Sequence, residues 1–148
     1  MTLRVVIDTN IWIRILLKGR VTLPILEAFN QHKFQLVMSQ FLMEELHLVW
    51  NRSRLRKRID PSQAMRLEQQ LQYRSLWVEL KTIPPNCRDP KDLPVLATAI
   101  DGEARIIVSG DDDLRADDDL RAIMASYSIQ LLGVNSFLKY LDESGESG

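Results

Sequence analysis

The sequence predicts an α/β domain with a mostly parallel central sheet of about five strands, and three observations lead there. Apolar runs of strand length alternate with segments of helical periodicity along the chain. Two of the runs, Val5-Val6-Ile7 and Ile106-Ile107-Val108, are β-branched without polar interruption, which marks strands buried on both faces and therefore a parallel sheet covered by helices. A carboxylate follows each of these two runs, Asp8 directly and Asp111 after Ser109-Gly110. In open α/β sheets ligands bind at the carboxyl ends of strands, so both acids stand where chemistry is usually done.

Taken in order, the strand ending at Asp8 leads into the apolar stretch Ile11 to Leu17, which Gly19 is expected to close as a helix C-cap. Pro24 opens a second helix carrying Leu26 and Phe29. Phe34 to Met38 has strand length, and Ser39 suits the N-cap of a helix over Gln40 to Asn51. After the basic stretch Arg52 to Arg58, Pro61-Ser62 starts a long polar helix with Leu67, Leu71 and Val78 on one side. Val78 to Ile83 is expected as a strand stopped by Pro84-Pro85, and a helix from about Asp92 to Asp101 follows. Then come the strand Arg105 to Ser109, a helix near Leu120 to Tyr127, a strand from Ile129 to Leu132, and an amphipathic helix through Val134, Phe137, Leu138 and Leu141. Residues 1–141 are read as one domain and 142–148 as a small, polar, frayed tail.

Composition excludes several classes. A formal net charge of −1 gives no strong global field for nucleic acid, although charge can still be segregated locally. Cys87 stands alone, which excludes an internal disulfide and a cysteine-based zinc site. No signal-peptide pattern precedes Leu3, and no apolar run approaches the ~20 residues of a membrane span, so a cytoplasmic protein without membrane contact is expected. Neither a G-x-G-x-x-G nor a P-loop pattern occurs, and His32 and His47 read as surface or boundary residues.

The acids on apolar faces are more informative. On a wheel of about 100° per residue, Phe41, Leu42, Leu48 and Val49 fall within roughly 60° of Glu45, while Glu44 lies near the edge and should be solvated. An acid in an inward stripe needs pairing or a metal ion, unless the helix rolls and Glu45 reaches water or an arginine. Asp92 shares a side with Val95, Leu96 and Ala99, with Asp101 opposite; a dipole-stabilising first-turn acid after Asp89 as N-cap is the other reading. Asp8 likewise reads either as a ligand or as the cap of the next helix. The hexapeptide Asp-Asp-Asp-Leu-Arg-Ala occurs at 111–116 and again at 117–122. Its second copy fits the acidic first turn of a helix carrying Leu120, Ile123, Met124 and Tyr127, so the first copy, Asp111 above all, is kept for chemistry.

Together, Val6-Ile7-Asp8-Thr9-Asn10, Glu45-Leu46, Asp92 with Ala97-Thr98-Ala99, and Val108-Ser109-Gly110-Asp111-Asp112-Asp113-Leu114 resemble a PIN-domain nuclease, above all the branch of toxin components of toxin–antitoxin pairs. The resemblance spans Val5 to Leu141 with the acids in the family's order. It implies a three-layer α/β/α sandwich, a Mg²⁺- or Mn²⁺-dependent endoribonuclease, a cognate antitoxin and a homodimer. Asp8, Glu45, Asp92 and Asp111 fall on the family's acidic quartet, Asp113 on an accessory acid, and Asn10 and Ser109 on polar positions beside it. Pro94 and the second hexapeptide depart from the family pattern, and neither removes a quartet member.

Chemistry agrees with that resemblance. Crowded carboxylates cannot all stay ionised without a cation, and hard oxygen ligands select Mg²⁺ or Mn²⁺ over zinc. Asp8, Asp92 and Asp111 are assigned as metal ligands, with Glu45 completing the site. Arg52, Arg54, Arg56, Lys57 and Arg58 are candidate phosphate contacts, or else a solvated helix end or a surface for an acidic antitoxin segment. A dehalogenase-type phosphatase would need an Asp where Asn10 stands, and a receiver domain would need an acceptor Asp after its third strand. The remaining alternative is a catalytically silent PIN fold that binds nucleic acid or protein.

Overall fold

The computed structural model describes residues 2–81, 93–110 and 115–146. The strands β1 (Arg4–Ile7), β2 (Gln35–Ser39), β3 (Leu76–Val78), β4 (Ile106–Val108) and β5 (Gln130–Leu132) form one sheet in the order β3-β2-β1-β4-β5. Every pairing is parallel, with Val5 opposite Ile106 and Ile7 opposite Val108 at the centre. Between and after the strands run α1 (Thr9–Leu16), α2 (Leu23–Asn30), α3 (Gln40–Trp50), α4 (Ser53–Arg56), α5 (Pro61–Arg74), α6 (Leu93–Asp101), α7 (Asp118–Ser126) and α8 (Val134–Glu146). Successive residues of a strand point to opposite faces, yet Val5, Val6 and Ile7 are all buried. Helices therefore cover both faces, and the domain is the α/β/α sandwich expected. No helix among the described residues is long and apolar enough to cross a membrane.

An aromatic column runs through one side of the core. Trp12 meets Phe29 edge-on at 5.7 Å between ring centroids, Phe29 lies 6.1 Å from Phe34, and Phe34 meets Phe137 edge-on at 5.3 Å. The column joins α1, α2, the entry to β2 and α8, each contact contributing about 0.5–1.5 kcal/mol beyond area burial. Side-chain caps start three helices: Ser39 accepts from the Leu42 amide, Asp60 from Ser62 and Asp117 from Leu120.

The structure differs from the sequence expectation at several local points. Gly19 is not the left-handed residue after α1; Lys18 is, with φ of 63°. The Lys18 amide donates to the Ile15 carbonyl and the Gly19 amide to Arg14, so the helix end closes in the paired pattern of a Schellman motif. His32, Glu103 and Ser128 repeat this geometry after α2, α6 and α7, at φ of 58°, 52° and 63°. Each is a side-chain-bearing residue in a conformation that glycine adopts at lower cost. His32 is exposed, and His32→Gly is expected to raise stability by about 0.5–1 kcal/mol, read as a higher urea midpoint at unchanged slope. An unchanged or lower midpoint would show that the imidazole compensates for its backbone.

The third strand begins at Leu76, not Val78, and the polar helix ends at Arg74, which places Val78 in the sheet. Its ladder with β2 closes where Val78 faces Ser39, and from Gln40 onward β2 has become helix. Glu79 to Lys81 follow outside the strand, and the expected strand residues Thr82 and Ile83 lie outside the described residues. In α7 only Leu120 and Met124 are buried, whereas Ile123 and Tyr127 are exposed. The last helix continues past Leu141 to Glu146, with Asp142 and Glu143 exposed on it.

Candidate functional site

Strand order decides where a ligand can sit. From β1 the chain builds outward through β2 to β3, while β4 and β5 lie on the other side of β1. The crevice of such a sheet opens at the carboxyl ends of the two central strands, here β1 and β4. Asp8 follows β1 and Ser109 follows β4. Their backbones remain in the ladder, because the Asp8 amide donates to the Val108 carbonyl and the Ser109 amide to Leu132, both at 2.9 Å.

The Asp8 side chain is not used as a helix cap. It occupies the N-cap position of α1 and makes no side-chain bond to the helix. Instead Ser109 Oγ donates to Asp8 Oδ2 at 3.2 Å, and Thr9 Oγ1 stands 3.5 Å from Oδ1. Asp8 is only 6% exposed, and Ser109 is fully buried. An ionised carboxylate held so far from water is costly unless hydrogen bonds or a cation compensate it.

Glu45 is half-buried on α3, which packs against α1 and α6. The helix is rolled relative to the sequence expectation: Leu42, Met43, Leu46 and Trp50 face the core, Val49 is half-buried, and Phe41 and Leu48 are 59% and 71% exposed. Glu45 thus stands at the edge of the buried arc rather than at its middle. Met43 and Trp50, outside the expected stripe, are buried in place of Phe41 and Leu48. Glu44 is exposed and accepts from Gln40 Nε2, as solvation at that position requires. Asn10 is exposed in the first turn of α1.

Asp92, Asp111 and Asp113 lie outside the described residues. Leu93 opens α6. Pro94 therefore stands in the first turn, where a missing amide costs nothing. Among the described residues no group of three or more His, Cys, Asp or Glu side chains could hold a metal ion. The donors that are described at the crevice are all oxygen, which suits a hard divalent ion and not a thiolate-seeking one.

A buried relay beside the crevice was not foreseen. Thr98 Oγ1 donates to the Pro94 carbonyl at 2.6 Å, so its own proton is committed. Ser39 must then donate to Thr98 Oγ1 at 2.8 Å while accepting from the Leu42 amide. Both side chains are fully buried. The relay ties the start of α3 to the first turn of α6, the two helices that follow β2 and precede β4. Ser39 was legible as a cap; nothing in the sequence paired it with Thr98.

Arg52, Arg54, Arg56, Lys57 and Arg58 are exposed on and around α4, held near the body by half-buried Leu55 and buried Ile59. None of the five makes an ion pair among the described residues. With this geometry in place, comparison with known proteins adds one match: the family model described as PIN domain covers residues 4–113. No curated protein matches the chain.

Proposed function

The chain belongs to the PIN domain family, whose members are generally nucleases that use divalent metal ions, and from that premise we propose that it is a Mg²⁺- or Mn²⁺-dependent endoribonuclease, the toxin of a toxin–antitoxin pair. The observation that carries the proposal is Asp8, a buried carboxylate at the N-cap position that bonds Ser109 across the central crevice and leaves the helix uncapped.

In this reading Asp8, Asp92 and Asp111 hold the ion and Glu45 completes the site, orienting the attacking water; Asp113, Asn10 and Ser109 support them. When bound, the metal supplies charge neutralisation at the phosphate and a water of lowered pKa. Ser109 fixes the direction of one Asp8 oxygen, so that the carboxylate need not reorganise on binding. Burial keeps bulk water from screening the charges involved. No covalent nucleophile is needed for phosphodiester hydrolysis by this route.

The surface supports a reading of substrate and partners. Cations around α4, exposed and without ion pairs among the described residues, support phosphate contacts that position an RNA backbone without reading its sequence. Exposed Phe41 and Leu48, on the same face of α3 as Glu44 and Glu45, support a protein partner, which we assign to an antitoxin or to a second copy of the chain.

Incubating purified protein with total RNA tests the proposal. Cleavage is expected with Mg²⁺ or Mn²⁺, loss of cleavage with a chelator, and recovery on adding excess ion. Cleavage that persists in chelator would overturn the metal dependence, and no cleavage with either ion would overturn the nuclease reading.

A further inference from the structure

We propose that Arg14 is a phosphate-binding residue of the crevice, a guanidinium held over the carboxyl ends of β1 and β4 to grip the RNA backbone beside Asp8. The proposal rests on the nuclease reading for its substrate class alone. Asn10 and Arg14 are four residues apart on α1 and both exposed, so they form one solvent-facing stripe. Helical side chains lean toward the helix N-terminus, which carries the long Arg14 side chain back toward the strand ends.

There it comes to rest on Gly110. A Cβ on Gly110 would stand 2.8 Å from Arg14 Nη1 and 3.3 Å from both Cζ and Nη2. Three atoms of one planar group at nearly equal range mean that the guanidinium covers the glycine. Gly110 does not have a positive φ, so what it provides is close approach rather than backbone freedom. It follows Ser109, the residue that bonds Asp8. Arg14 therefore reaches from the helix after β1 to the exit of β4, over the place where the sheet presents its ligand crevice.

Arg14 makes no ion pair or side-chain hydrogen bond among the described residues. Its donors are available, it lies against Gly110, and it faces solvent. A guanidinium fork matches the paired oxygens of a phosphate better than an ammonium does. The competing role is a counter-charge for the acids, which would act on metal affinity and not on RNA.

The test uses the full chain, a short labelled RNA and Mn²⁺. Arg14→Ala is expected to raise KM about ten- to a hundredfold with kcat little changed, the signature of a contact equal in ground and transition states. The salt slope of RNA binding should flatten by about 0.7, the value for one phosphate contact on a single strand. Arg14→Lys should restore part of the loss. Gly110→Ala, which pushes a methyl group into the guanidinium, should raise KM by the same route, and the double variant should be no worse than Arg14→Ala. Mn²⁺ titration of each variant should match the wild type. Wild-type KM and salt slope in Arg14→Ala would overturn the proposal, as would a changed Mn²⁺ affinity with unchanged KM. A wild type that binds but never cleaves the RNA refutes the nuclease reading instead, and the salt slope of binding still decides Arg14.

Discussion

Asp8→Asn is expected to lower RNA cleavage by on the order of a thousandfold or more while leaving the fold intact. A ligand that helps hold the ion is worth several kcal/mol in the transition state, and each 1.36 kcal/mol is about tenfold in rate. Asparagine keeps the shape of the side chain and can still accept from Ser109 Oγ, so the Ser109 contact at 3.2 Å survives. What it removes is charge. In chelator the variant should melt at the same temperature as the wild type or above it, because a buried carboxylate no longer has to be kept ionised. Added Mn²⁺ should raise the wild-type melting temperature by mass action and leave Asp8→Asn unmoved. RNA binding should persist in Asp8→Asn with its salt slope intact, whereas neutralising Arg54, Arg56 and Arg58 together should flatten that slope. Full cleavage by Asp8→Asn in a nuclease-free preparation would remove Asp8 from the chemistry.

Gly102→Ala is expected to give the largest loss of stability for one added methyl group. Gly102 is buried at the end of α6, and a Cβ there would stand 2.4 Å from Val37 Cγ1 and 2.9 Å from the Thr98 carbonyl. The Val37 methyl can turn aside, but the carbonyl belongs to the helix backbone and cannot. Overpacking of this kind costs about 1–3 kcal/mol, and a chain of this size loses about 2–4 °C of melting temperature per kcal/mol. Since Thr98 also receives the Ser39 hydrogen bond, a shift of α6 strains the relay between α6 and α3. Val37→Ala should cost less in the Gly102→Ala background than alone, because it clears the nearest atom. A melting temperature equal to the wild type would show that α6 slides without penalty.

The central sheet was legible because Val5 to Ile7 and Ile106 to Val108 need apolar cover on both sides, and no half-exposed element has that pattern. The position of Asp8 after a strand came with it. The roll of α3 was not legible, since apolar residues occupy both Phe41-Leu48 and Met43-Trp50 and the local sequence does not say which arc meets the sheet. The length of β3 depends on where β2 turns into helix, a fact held in another part of the chain. Pairing of Ser39 with Thr98 is likewise a tertiary contact between residues far apart in sequence. For Lys18, His32, Glu103 and Ser128, closure of the helix end overrides the preference for glycine.

Those left-handed residues also divide the molecule. His32, Glu103 and Ser128 each link the end of a helix to the start of β2, β4 or β5, at the pole of the sheet away from Asp8 and Ser109. Heat tolerance can therefore be tuned at that pole by exchanging single side chains, without touching Asp8 or Ser109.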